Sequence, residues 1–177
     1  LKSEGMGNKI LDKIINKKED VCIIGYGQSG SGKTSALIYL KYTKGNKDII
    51  QKGIIEEICN RQIFIDNYSK LEIDVYNLYT KFGSKCTDLN DYKEKDYDDR
   101  KINDNYNNFT YDKEKKGWYN NNDKDNMVLG EYITKSMNNR QAEPTPNNPN
   151  SSRSHVIINI KCNKNDKSTQ NIIVCDL

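Results

Sequence analysis

The octapeptide Gly27-Gln28-Ser29-Gly30-Ser31-Gly32-Lys33-Thr34 constrains this chain more than any other feature. It fits G-x-x-x-x-G-K-[ST], and its flanks suit that motif: the apolar run Val21-Cys22-Ile23-Ile24 before it, and the breaker-free stretch Ser35 to Tyr42 after it. The apolar run opens after Asp20 and ends in glycine, which reads as a buried strand, while Ser35 to Tyr42 reads as a helix. Glycines let the backbone curl so that successive N–H groups point inward as an anion nest. The helix beginning near Lys33 would direct its positive end at the same place. Lys33 would then bridge β- and γ-phosphates, and the Thr34 hydroxyl would ligate Mg²⁺. A Gly/Ser-rich turn that merely contains Lys-Thr is the bland alternative. The strand–loop–helix context favours a nucleotide, but it does not name the machine.

A chain of 177 residues is long enough for one domain with a sizeable core. With 34% of its residues hydrophobic and 30% charged, a good part of it is expected to lie outside that core. Lysine and asparagine dominate the polar fraction, as expected of swollen, solvated loops. The net charge of +3 is spread in mixed-sign runs, with none of the basic stripes that nucleic-acid binders show. The five cysteines lie far apart without a C-x-x-C pair and His155 is the single histidine, so a zinc site is not expected. Cys22, Cys162 and Cys175 sit in apolar strand-like runs, which suits buried free thiols in a reducing cytosol. No run reaches transmembrane length, and Leu1-Lys2-Ser3-Glu4 does not open a signal peptide. A start without methionine and an end inside an apolar run read as a piece of something longer.

Apolar residues Ile10, Leu11, Ile14 and Ile15 recur at helical spacing between Gly7 and Lys17. Ile54 to Ile65 gives a second helical pattern, and Leu71 to Tyr76 a strand. The stretch 81–126 is polar and repetitive, with too little apolar surface to offset its ordering entropy. It is expected to be a largely mobile insertion anchored by Trp118. Val128 to Met137 reads as a helix, and Val156–Lys161 and Asn171–Asp176 as strands joined by the polar turn Asn163–Thr169.

Tyr26 to Thr34 resembles the kinesin phosphate loop, Y-G-Q-T-G-S-G-K-T, differing in Ser29 for threonine. Myosins usually carry G-E-S-G-x-G-K-T, so Gln28 favours kinesin. The segment Arg140 to His155 ends like the kinesin switch I signature N-x-x-S-S-R-S-H, matched by Asn148, Ser151, Ser152, Arg153, Ser154 and His155, with Arg140 and Thr145 placed as in the family. Gly53-Ile54-Ile55 is similar to G-I-I-P-R, with Glu56 in place of the proline. Val75-Tyr76-Asn77 is similar to I-Y-N, and Ile172 to Leu177 to the strand leading into D-L-A-G-S-E.

The resemblance implies a P-loop NTPase of α/β class, with a mixed, mostly parallel central sheet flanked by helices on both faces and truncated at both ends. It implies ATP or ADP with Mg²⁺ held by Gly27, Gln28, Ser29, Gly30, Ser31, Gly32, Lys33 and Thr34. Ser152 would join Thr34 on the metal, and Asp176 would hold it through a water. Ser151 and Asn148 would lie at the γ-phosphate. Arg153 would pair with a switch II glutamate that falls after Leu177, so this piece is expected to bind nucleotide but hydrolyse it poorly. The implied partner is the microtubule, the implied place the cytoskeleton or spindle within the cytoplasm, and neither nucleic acid nor a membrane span is expected. A different phosphate-loop NTPase and a degenerate kinesin serving as a scaffold remain open as alternatives.

Overall fold

In the computed structural model, residues 3–28, 31–44, 47–80, 84–88, 93–96, 107–121, 126–138 and 154–177 are described. Helix α1 (Ser3–Leu11) runs into a π-helical turn over Asp12–Asn16. The expected apolar spacing is realised there: Ile10, Leu11 and Ile14 are buried and Ile15 packs at the edge. Asp20 then accepts the Asn171 backbone N–H at 2.8 Å and its side-chain amide at 3.0 Å, which pins the entry of strand β1 (Val21–Gly25) to β10 (Thr169–Asp176).

The remaining strands are β2 (Tyr39–Lys44), β3 (Lys47–Lys52), β4 (Lys70–Thr80), β5 (Ser84–Asp88), β6 (Lys93–Asp96), β7 (Asn107–Asp112), β8 (Gly117–Asn120) and β9 (Ser154–Asn163). The main sheet runs β1-β10-β9-β4-β5-β6, with β7 also pairing with β4 and β8 with β7. The sheet is mixed, as the resemblance implied. Mostly parallel it is not: among the described residues β1–β10 is parallel and every other pairing is antiparallel. The cause is local, because β9 and β10 form a hairpin through a short polar turn, and hairpins force antiparallel pairing.

Register explains the core. Val21, Ile172, Ile160 and Ile73 form one cross-strand row, and Ile23, Val174, Ile158 and Val75 the next. All eight are buried. Helices α3 (Ile54–Cys59), α4 (Gln62–Asn67) and α5 (Leu129–Asn138) add Ile54, Ile55, Ile58, Phe64, Leu129, Tyr132 and Ile133 to that same cluster. The opposite rows, Cys22–Ile173–Asn159–Asp74 and Ile24–Cys175–Ile157–Tyr76, are mostly exposed or half-buried. Cover on both faces is therefore not met among the described residues. The expectation that β1 is wholly buried is corrected too, since period-two alternation leaves Ile24 58% exposed. Of the three strand cysteines, Cys162 is buried, Cys22 exposed and Cys175 in between. Burial pushes the Cys162 thiol well above its ordinary range.

Two further expectations change. Helix α2 covers Lys33–Leu37, and the chain turns at Ile38 into the β2–β3 hairpin instead of continuing to Tyr42. Tyr39, Tyr42 and Thr43 favour a strand, and the hairpin closes where Gly53 N–H donates to the Ile38 carbonyl at 2.9 Å. The predicted helix over Ile54 to Ile65 appears as α3 and α4, broken at Asn60-Arg61. Within 81–126, strands β5 to β8 are present among the described residues, so that stretch is not without structure.

Trp118 shows how this polar region holds on. Its indole N–H donates to the Cys59 carbonyl at 2.7 Å, and its ring packs edge-on against Phe64 and Tyr111 at 6.0 and 5.5 Å. At 1% exposure it carries a large apolar area into the core. Trp118→Ala is expected to lower unfolding stability by about 3–5 kcal/mol in urea titrations, the range for emptying an aromatic site. A loss below about 1 kcal/mol would show that the β7–β8 hairpin is not docked.

Candidate nucleotide site

The site is built where β1 and β10 end side by side. Their parallel register sets Gly25 opposite Asp176, so the loop leaving β1 starts next to the carboxylate closing β10. Ligand sites at the carboxyl ends of strands are the rule in open α/β sheets. Gly25 also fixes how close α2 comes. A Cβ at Gly25 would sit 2.6 Å from Leu37 Cδ1 and 3.4 Å from Lys33 Cβ, so the bare glycine lets α2 lie against β1.

Between them the loop makes its turn. Ser31 N–H donates to the Gln28 carbonyl at 3.1 Å, and Gly27 and Gly32 take positive φ values of 152° and 83°. Gly32 is the N-cap of α2, and the left-handed region it occupies is costly for any residue with a Cβ. The first N–H groups of α2 have no partner within the helix itself, which leaves them facing the loop side. With five residues, α2 supplies a weaker dipole than the expected longer helix would.

Lys33 and Thr34 leave the first turn of α2 in different directions. The exposed Lys33 ammonium donates to the Gly27 and Gln28 carbonyls at 2.7 and 3.1 Å, lying back across the loop. The Thr34 hydroxyl donates to Asp176 Oδ2 at 2.5 Å across 142 residues of sequence. Asp176 itself is 2% exposed. A hydroxyl and a carboxylate in contact form a hard-oxygen donor set that suits Mg²⁺ rather than zinc or another soft metal. Among the described residues no group of three His, Cys, Asp or Glu offers an alternative metal site. The residues present thus fit a Mg²⁺–phosphate group.

Of the residues the sequence singled out, Gly27, Gln28, Ser31, Gly32, Lys33, Thr34 and Asp176 are brought together here. Ser29, Gly30, Asn148, Ser151, Ser152 and Arg153 lie outside the described residues. Gly25 and Gly53 were not singled out for the site. The signal was available in each case, a glycine abutting an apolar run, which often marks close backbone approach. Tyr26, beside the loop, is 93% exposed. A surface cavity of about 790 Å³, lined in part by Tyr111, Lys113 and Asn165, opens at the other end of the sheet and takes no residue from the loop.

Gly32→Ala should lower stability by about 1–2 kcal/mol through strain at positive φ, read by chemical denaturation. An unchanged midpoint would mean that the loop does not need its left-handed turn.

A sequence model of the kinesin motor domain matches residues 3–177. No curated protein matches the chain. Among solved structures, KIF14 residues 391–755 with ADP in complex with a microtubule gives a TM-score of 0.56 at 19% identity, covering 99% of this chain and 50% of that one. The KIF14 391–772 dimer in its two-heads-bound state, with AMP-PNP in complex with a microtubule, gives 0.56 at 21% identity with the same coverage. At these identities the likeness is one of fold. The chain spans half the length of the solved chains it matches.

Proposed function

This chain belongs to the kinesin motor-domain family, and on that premise we propose that it forms the nucleotide-binding half of a microtubule-dependent motor ATPase. The observation that carries the reading is the Thr34–Asp176 contact beside Lys33, at the joint end of β1 and β10. A lysine, a threonine hydroxyl and a strand-end carboxylate are the three protein groups that a Mg²⁺–triphosphate requires of a phosphate loop.

In that reading, Lys33 exchanges the Gly27 and Gln28 carbonyls for phosphate oxygens. Such an exchange costs little, because carbonyls and phosphates both accept from an ammonium and the phosphate adds charge. Loop N–H groups from Gly27 to Thr34 receive the remaining phosphate oxygens. Thr34 turns its hydroxyl oxygen to the metal, and Asp176 accepts from a metal-bound water. Mg²⁺, when bound, neutralises charge on the β- and γ-phosphates. Ser152 would complete the metal's protein ligands, with Asn148 and Ser151 at the γ-phosphate and Arg153 closing the site. These four roles rest on the N-x-x-S-S-R-S-H motif.

The microtubule as partner and the cytoskeleton as location follow from the family. KIF14, the fold neighbour, is itself seen on a microtubule. No helix among the described residues is long and apolar enough to cross a membrane. The test is ATP turnover by the full-length protein with and without microtubules, beside a Lys33→Ala variant. Stimulation by microtubules, with loss of about a hundredfold or more in the variant, is expected, since the lysine stabilises charge that develops during transfer. Turnover indifferent to both would overturn the proposal.

A further inference from the structure

Helix α5 carries a glycine in its first turn. Gly130 follows Leu129, and glycine in a helix is disfavoured relative to alanine. The reason lies across the core boundary. A Cβ on Gly130 would stand 2.7 Å from both Cδ and Oε1 of Glu56, and 2.9 Å from Oε2. The Glu56 carboxylate therefore lies flat on the α5 backbone, in space that any other residue at position 130 would fill. Its side chain is 16% exposed, and Lys52 at the end of β3 holds Oε1 at 3.3 Å. A carboxylate at the first turn of a helix is also favoured by the helix dipole.

Glu56 is in turn tied to the phosphate loop by a second contact that excludes a Cβ. Three residues earlier, Gly53 packs against Ile38, where a Cβ would fall 2.5 and 2.6 Å from the Ile38 carbonyl carbon and nitrogen. Ile38 N–H donates to the Thr34 carbonyl at 2.8 Å. The loop's own threonine is thus joined through Ile38, Gly53, Glu56 and Gly130 to α5, with two steps in that path too tight to slip. Helix α5 ends at Asn138, and residues 139–153 follow it in the chain. Within the helix, Thr134 and Ser136 donate to the carbonyls four residues back, at 2.7 and 2.9 Å. Tyr132 receives the Asn107 amide at 2.8 Å.

We infer that Glu56, seated on the α5 backbone at Gly130, is a positioning residue that couples the phosphate loop to the segment leaving α5. The inference rests on the nucleotide-site reading above, because residues 148–153 belong to the site only in that reading. Glu56 touches neither phosphate nor metal. It acts by fixing where α5 starts, and so where the chain after Asn138 sets out. A contiguous path is by itself an association, so the coupling must be measured as an energy shared between two positions.

The experiment is release of a fluorescent ADP analogue from the full-length protein with Mg²⁺, in wild type, Glu56→Gln, Gly130→Ala and the double variant, each with its thermal midpoint. Glu56→Gln preserves volume and removes charge, so it guards against a Gly130→Ala chain that fails to fold. Release is expected to be roughly fivefold faster in each single variant. The double variant should be no faster than Gly130→Ala alone, because the seat is already lost. A lower thermal midpoint with unchanged release would make the contact merely structural and overturn the inference, as would fully additive effects. If wild type retains no analogue, or Lys33→Ala retains as much as wild type, the nucleotide-site reading itself falls and takes the inference with it. Those results are distinct, since they appear without either Glu56 or Gly130 being changed.

Discussion

The hydrogen bond from Thr34 to Asp176 joins the two ends of the sequence that make this fold useful. It exists because β1 and β10 pair in parallel with Gly25 opposite Asp176. A slip of one residue would turn Asp176 to the other face and bury Cys175 in place of Val174. The buried rows of isoleucine and valine resist that slip, since each is complete across four strands. Asp20 adds a polar lock at the opposite end by holding Asn171. Register at the core thus determines where the carboxylate meets the loop.

Glycines carry the second constraint. Gly25 lets α2 approach β1, Gly53 lets α3 approach Ile38, and Gly130 admits Glu56 to α5. At each of these positions a methyl group would meet neighbours at less than van der Waals distance. Side chains supply the bulk of the core, while these three positions determine how the helices stand around the loop. The β7–β8 hairpin joins the same core through Trp118 and the Cys59 carbonyl. Neighbouring apolar burial raises the Cys59 thiol above its ordinary range, and the nearby Glu56 carboxylate adds to the effect.

Much of this was legible in the residues. The apolar periodicities gave α1, β4, α5, β9 and β10 close to their ends, and the loop motif with its flanking strand located the site. Asp176 came from a resemblance and fell next to Thr34. What misled was context. Val21 to Ile24 is apolar at every position, so periodicity could not tell a strand buried on both faces from one buried on one. Ser35 to Tyr42 contains no breaker, and the β2–β3 pairing that ends the helix depends on residues ten positions on. Pairing direction follows connectivity, which a list of strands does not contain. The polarity of 81–126 concealed Phe109 and Trp118, two residues that suffice to dock a hairpin. Glu56 was noticed as a departure from the family's proline, but its seat on Gly130 required three dimensions.

The central claim is that Lys33, Thr34 and Asp176 form a Mg²⁺–nucleotide site, and the most direct measurement is ADP affinity as a function of free Mg²⁺ in wild type and Thr34→Ala. The account predicts that Mg²⁺ tightens ADP binding in wild type by about tenfold or more, and that Thr34→Ala loses most of that increment while still binding ADP without the metal. Affinity that ignores Mg²⁺ in both proteins, or no ADP binding by wild type, would contradict it.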